Sequence, residues 1–279
     1  MFWHRRNSRK PTNEVEVSLL SDIGCCRETN EDAGQIIRPT DPKVLAEKGA
    51  LLVVADGMGG SEGGEIASQL AIQTIGCSYY ADGSQVSAAL INAFTKANDA
   101  IHRLSLERPE LKGMGTTCTA LVLGEDLAWV AYVGDTRLYL VRDGGIYRMV
   151  EDHSAVMELV KQGVVSLQEA RRHADRNVIL RALGTHEQIC VSTWNAPLPI
   201  RTGDQFVLCT DGLYDQIEDE EIRNATDAAT PAAACSTLIA LARQRGGSDN
   251  ITVAVARMTP LQMAQPQVVR ETRAVEVTR

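Results

Sequence analysis

Aromatic residues are scarce in this sequence, at 4% of 279 residues, so the core has to be built from aliphatic side chains. No apolar run approaches the roughly 18 residues that a membrane span needs. The basic start, Met1 to Pro11, is followed by no apolar segment of a secretory signal. Both absences predict a chain without a membrane partner and with a cytoplasmic location. Cysteine is present seven times, an odd number with no Cys-x-x-Cys pair, which argues against a disulfide framework and a thiolate zinc site. Positive charge is in deficit, with 28 Lys and Arg against 36 Asp and Glu, so nucleic acid is excluded as a partner.

What remains is the composition of a folded protein: 44% hydrophobic and 23% charged, close to the globular average. Helical periodicity appears twice in succession. Ala67, Leu70, Ala71, Thr74 and Ile75 form one apolar stripe, and Val86, Ala89, Leu90, Ala93, Phe94, Ala97, Ile101 and Leu104 form the next. Strands are predicted at Val15–Leu20, Gly34–Ile37, Ala50–Ala55, Thr117–Leu123, Leu127–Val133, Arg137–Val141, Ile189–Trp194, Gln205–Cys209 and Ile251–Ala256. Gly124-Glu125-Asp126 and Gly144-Gly145 read as hairpin turns. Strands following one another directly through 117–149 predict antiparallel meanders with helices packed outside. With no linker before Thr259, the expected organisation is a basic, disordered arm at 1–13, one domain at 14–258 and a mobile tail at 259–279.

The chemistry collects where strands end. Leu51 to Gly57, Val130 to Asp135 and Phe206 to Gly212 each run from apolar residues into an Asp-Gly or Gly-Asp step, and Asp249 stands just before the last strand. Any one such step reads as an ordinary turn. Several carboxylates held at the rim of a packed sheet, however, are costly without a compensating cation, and carboxylate oxygens suit Mg²⁺ or Mn²⁺. Spacing alone leaves open whether these residues meet.

The ordered segments Arg27-Glu28-Thr29-Asn30-Glu31-Asp32, Asp56-Gly57-Met58-Gly59-Gly60, Gly63-Gly64-Glu65, Gly113-Met114-Gly115-Thr116-Thr117, Val133-Gly134-Asp135-Thr136-Arg137, Asp152-His153-Ser154, Thr210-Asp211-Gly212 and Ser248-Asp249-Asn250 resemble the motif series of bacterial PP2C-type (PPM) metal-dependent protein serine/threonine phosphatases. The resemblance spans about residues 15 to 257. It implies an α+β fold, a four-layer sandwich of two antiparallel β-sheets flanked by helices. It also implies a phosphoric monoester hydrolase that cleaves phosphoserine and phosphothreonine on proteins by direct attack of a water or hydroxide bridging two Mn²⁺ or Mg²⁺ ions. On the same resemblance Asp56 bridges the ions, the Gly57 carbonyl binds one, and Asp211 and Asp249 bind the other. Glu31 and Asp32 act through water or just outside the ions. Asp135, with Asp249, would hold a third ion, and Arg27 would bind the substrate phosphate. The implied partners are a phosphoprotein and a cognate Ser/Thr kinase that the enzyme opposes, with the chain acting as a monomer.

By the same resemblance, the charged helical segment at about 154–183 is a flap beside the active site that influences substrate choice and third-ion binding. Met58 stands where eukaryotic members carry a His, which leaves the proton donor unassigned. Ser61 and Ala174 also depart from residues common in relatives. His153 reads as a hydrogen-bonding residue at a turn, Thr116 and Thr117 as support, and Cys25 and Cys26 as structural. The alternative from another class is a phosphoprotein-binding scaffold of the same fold without turnover. A nucleotide-binding reading of Gly57-Met58-Gly59-Gly60 fails, since the stretch has neither the phosphate-loop lysine nor the dinucleotide glycine register.

Overall fold

The structure, a computed structural model, describes residues 13–59, 62–227 and 230–260. Residues 1–12 of the basic arm, Gly60, Ser61 and the tail beyond Pro260 lie outside the described residues. In chain order the elements are β1 (Asn13–Asp22), β2 (Asp32–Ile37), α1 (Pro42–Lys48), β3 (Ala50–Met58), α2 (Gly63–Ala81), α3 (Val86–Glu107), a 3-10 turn (Pro109–Leu111) and β4 (Gly115–Leu123). Then follow β5 (Leu127–Val133), β6 (Arg137–Arg142), β7 (Gly145–Arg148), α4 (Ala155–Lys161), α5 (Leu167–Ala170), β8 (Ser192–Thr193) and β9 (Leu198–Pro199). The chain closes with β10 (Gln205–Cys209), α6 (Asp211–Tyr214), α7 (Asp219–Asp227), α8 (Pro231–Gln244) and β11 (Ile251–Pro260).

One sheet runs β1-β11-β10-β6-β7; the other runs β2-β3-β4-β5-β8, with β9 also paired to β5. The described strand pairs are antiparallel. Side chains alternate along each strand, so a strand buried on both faces becomes a continuous apolar run. Leu51, Val53 and Ala55 of β3 meet α2 and α3, whereas Leu52 and Val54 face the opposite sheet. In β10, Phe206 and Leu208 face inward between the sheets, and Val207 and Cys209 meet α6 to α8. The result is helix, sheet, sheet, helix: the four layers that the resemblance implies.

Local signals account for elements that sequence reasoning passed over. Asp41 caps α1 by accepting from the Lys43 N–H at 2.8 Å, with Pro42 at the first helical position. Thr230 and Pro231 open α8 in the same way. The β6–β7 turn is one residue earlier than expected: Asp143 (φ 53°) and Gly144 (φ 76°) are both left-handed, the primed turn that matches strand twist. The expected strand at Ile189–Trp194 shrinks to the two residues of β8, with Ile189 and Val191 packed against the α2–α3 core ahead of it. β11 runs to Pro260, pairing with Asn13, beyond the boundary set at Met258.

Candidate metal centre

The layer between the sheets is apolar along most of its length and turns polar at one end, strand by strand and on the same face. In β3, Leu52 and Val54 are followed at the next inward position by Asp56; in β10, Phe206 and Leu208 by Thr210. Running back along β2, Ile36 gives way to Asp32; in β11, Ala256 and Ala254 give way to Thr252, and β4 passes from Leu121 to Thr119 and Thr117. Asp32 and Asp56 are register partners across β2 and β3. The sheets are joined at this end by Thr210, whose hydroxyl donates to the Asp32 carboxylate at 2.8 Å and accepts from the Thr252 N–H at 3.0 Å. Asp135 arrives on the short connection that crosses from β5 in one sheet to β6 in the other, Asp211 opens α6, and Asp249 precedes β11.

Gly57 and Gly212, beside Asp56 and Asp211, serve close backbone approach rather than turns. A Cβ on Gly57 would lie 2.1 Å from the Gly64 carbonyl oxygen, and one on Gly212 would lie 2.0 Å from that of Asn250. Gly57 donates to the Glu31 carbonyl at 3.1 Å, and Thr116 donates to that of Asp56 at 2.7 Å. Asn250 gathers the loop that carries Arg27 and Glu31: its side chain accepts from the Glu31 N–H at 2.8 Å and donates to the carbonyls of Ile23 and Thr29. Thr210 and Asn250 escaped sequence reasoning as functional residues, although both neighbour an Asp that was singled out.

Burial and like charge act together on the carboxyls. Asp56 is pushed well above the usual carboxylate range by burial first, then by Asp211, Asp32, Asp135 and Asp249. Burial lifts Asp32 to about 7, against the bonds from Thr252 and Thr210, with Asp211 and Asp249 adding repulsion. Asp135 rises to about 8 by burial and then Asp211. Asp211 rises to about 6, by burial and then Asp249, while a hydrogen bond shared with Asp56 draws it back. Glu31 is raised by burial and lowered by Arg27. The Arg27 guanidinium lies 2.7 Å from Asp249, half exposed at the rim.

Among the described residues, no three His, Cys, Asp or Glu side chains converge closely enough to hold an ion as they stand. Asp32, Asp135 and Asp249 are each held by a donor of their own, Thr210, Tyr214 and Arg27, while Asp56 and Asp211 share a hydrogen bond with each other. The donor set itself fits a hard divalent cation, being oxygen throughout, with no thiol or imidazole and more negative charge than the neighbouring arginine balances.

The segment 154–183, with α4 and α5, bounds a cavity of about 400 Å³ whose opposite wall includes Asp135, Asp211 and Tyr214. Arg171 of this segment bridges to Glu218 at 2.7 Å, and Arg176 to Asp215 at 3.6 Å. His153 is a packing and hydrogen-bonding residue: its Nδ1 accepts from the Gly134 N–H at 3.0 Å, Nε2 meets the Ser192 hydroxyl, and the ring stacks on Tyr132. Burial draws it down to about 4, so it is neutral at pH 7. Cys25 and Cys26 are exposed; the Cys25 thiol reaches the Arg243 carbonyl at 3.9 Å, and its backbone N–H, bonded to the Gly247 carbonyl at 2.7 Å, anchors this loop.

A protein phosphatase 2C family model matches residues 29–252. The chain is 36% identical over 256 residues to the serine/threonine protein phosphatase PstP of Mycobacterium tuberculosis (strain ATCC 25618 / H37Rv), covering 91% of this chain and 47% of PstP. It therefore spans about half the length of that relative. It is 31% identical to the serine/threonine phosphatase stp of Listeria innocua, across 89% of this chain and 98% of stp. Among solved structures, the PstP catalytic domain in complex with two manganese ions superposes with a TM-score of 0.77 at 35% identity, covering 89% of this chain and 100% of that one. Stp1 from Staphylococcus aureus superposes with a TM-score of 0.81 at 29% identity, covering 91% and 98%.

Proposed function

This chain belongs to the protein phosphatase 2C family, and from that premise we propose that it hydrolyses phosphoserine and phosphothreonine on proteins with the help of divalent cations. The observation that carries the reading is the polar end of the inter-sheet layer, where Asp32, Asp56, Asp135 and Asp211 repel one another beside the arginine of Arg27. Asp56, the Gly57 carbonyl, Asp211 and Asp249 would hold two Mn²⁺ or Mg²⁺ ions, Asp135 and Asp249 a third, with Glu31 and Asp32 acting through water. When bound, the ions supply positive charge against phosphoryl oxygens and make water more acidic.

The chain's own residues do the rest. Arg27 is anchored to Asp249 by one nitrogen and is half exposed, which leaves its other N–H donors for two phosphate oxygens, a fork that lysine lacks. Thr210 and Asn250 tie Asp32 and the Arg27 loop to the strand ends, so that the carboxylate side chains turn toward the ions on a fixed backbone. Cysteine has no part in this chemistry. In this reading the catalytic unit is residues 14–258 acting as a cytoplasmic monomer opposed to a Ser/Thr kinase, and the described residues include no helix long and apolar enough to cross a membrane.

The test is phosphate release from a phosphothreonine peptide in Mn²⁺, in EDTA, and with Asp211→Asn as the control for contaminating phosphatase. Release that requires both Mn²⁺ and Asp211 is expected. No release in any divalent cation from the folded chain would favour a phosphoprotein-binding scaffold.

A further inference from the structure

Tyr214 is nearly fully buried at the C-terminal end of α6, on the wall of the flap cavity. Its hydroxyl lies 3.2 Å from the Asp135 carboxylate and 3.2 Å from the Asp135 carbonyl, both of which it can reach as donor. The ring is clamped from one face by Arg137, whose guanidinium carbon sits 3.5 Å from the ring centroid. Arg137 in turn is fixed by Asp152, at 2.7 Å, and by the Tyr139 hydroxyl. From the flap side, Arg171 donates to the Tyr214 carbonyl at 2.9 Å and the Ile217 carbonyl at 3.1 Å. Three independent contacts therefore converge on one residue that touches a carboxylate of the site.

We infer that Tyr214 is a positioning residue: it orients the Asp135 carboxylate for a cation and ties that orientation to the flap through Arg171. The inference rests on the reading of Asp135 as a cation ligand. A carboxylate that binds a cation with one oxygen needs its other lone pairs engaged by a fixed donor, and loss of such a donor costs about tenfold or more in cation affinity. The Tyr214 hydroxyl is that donor here. Tyr214→Phe keeps the ring under Arg137 and removes only the hydroxyl.

The experiment is calorimetric titration of Mn²⁺ into the metal-free full chain, its Tyr214→Phe and Asp135→Asn variants, and a melting curve of each in EDTA. Expected is a Mn²⁺ step that Asp135→Asn weakens most and Tyr214→Phe weakens about tenfold, with the other steps unchanged. The Tyr214→Phe melting temperature in EDTA should stay close to the parent's, which a merely structural role would not predict. If Asp135→Asn changes the isotherm and Tyr214→Phe does not, the positioning role is overturned while Asp135 keeps its assignment. If Asp135→Asn leaves the isotherm unchanged, the Asp135 assignment falls and this inference with it. Should Tyr214→Phe fail to fold, Arg171→Ala takes its place, weakening the same step; a parent-like isotherm would then overturn the proposal.

Discussion

The middle and the end of the inter-sheet layer are built from the same strands and the same face, yet they are opposite in chemistry. In the middle, Leu52, Val54, Phe206 and Leu208 fill an apolar layer in which each side chain stabilises the fold. Two residues further along, Asp56 and Thr210 occupy the corresponding inward positions, and the carboxyls gathered there oppose one another. The comparison teaches that the site is a continuation of the core's own periodicity, with stability given up at one end and supplied by the other. A rigid sandwich can hold like charges together because the cost is spread over a large apolar layer.

The largest test of that contrast is Asp56→Asn. Phosphate release should drop to background, while the metal-free protein at pH 7.5 melts higher, by about 2–4 °C per kcal/mol of relieved repulsion. A lower melting temperature would mean that Asp56 supports the fold like a core residue. At the other end of the contrast, Phe206→Ala should cost about 3–5 kcal/mol by denaturant unfolding, as for a filled core position. At the junction, Thr210→Val keeps the shape but leaves the Thr252 N–H and Asp32 without their partner. About 1–3 kcal/mol of stability should be lost, measured the same way.

pH sharpens the comparison further. Asp32 and Asp135 titrate in the fold near 7 and 8 but near 3.9 when unfolded, so the folded state holds their protons longer. Stability is therefore full at acid pH and is lost as pH rises through the folded values. Metal-free protein should melt several degrees lower at pH 8.5 than at pH 6.5, roughly 5 °C, and saturating Mn²⁺ should flatten that slope. His153, titrating near 4, acts only below this window. The smallest effect concerns the exposed rim: Arg27→Lys should raise KM for a phosphopeptide about tenfold and leave the melting temperature unchanged.

Much of this contrast was legible in the residues. Apolar runs ending in Asp56, Asp135 and Asp211 marked both the strands and the carboxylates, because a doubly buried strand has no polar interruption until its end. The roles of Asn250 and Tyr214 were not legible, since each depends on contacts with segments far away in sequence, Ile23 to Glu31 for one and Asp135 with the flap for the other. α8 went unread for a different reason. Its buried positions Ala234, Cys235, Leu238, Ile239 and Ala242 follow helical spacing, but alanine and cysteine give little contrast with their neighbours. The meaning of the Asp-Gly steps also changed: what reads locally as a turn signal is a place where another backbone passes too close for a Cβ.

The central claim is that the polar end of the layer binds divalent cations between the two sheets. Anomalous diffraction from crystals grown with Mn²⁺ tests it directly. The account predicts Mn²⁺ peaks within direct bonding distance of the Asp56 and Asp211 carboxylates, and loss of those peaks in Asp56→Asn. Manganese bound only elsewhere, or bound identically in Asp56→Asn, would contradict it.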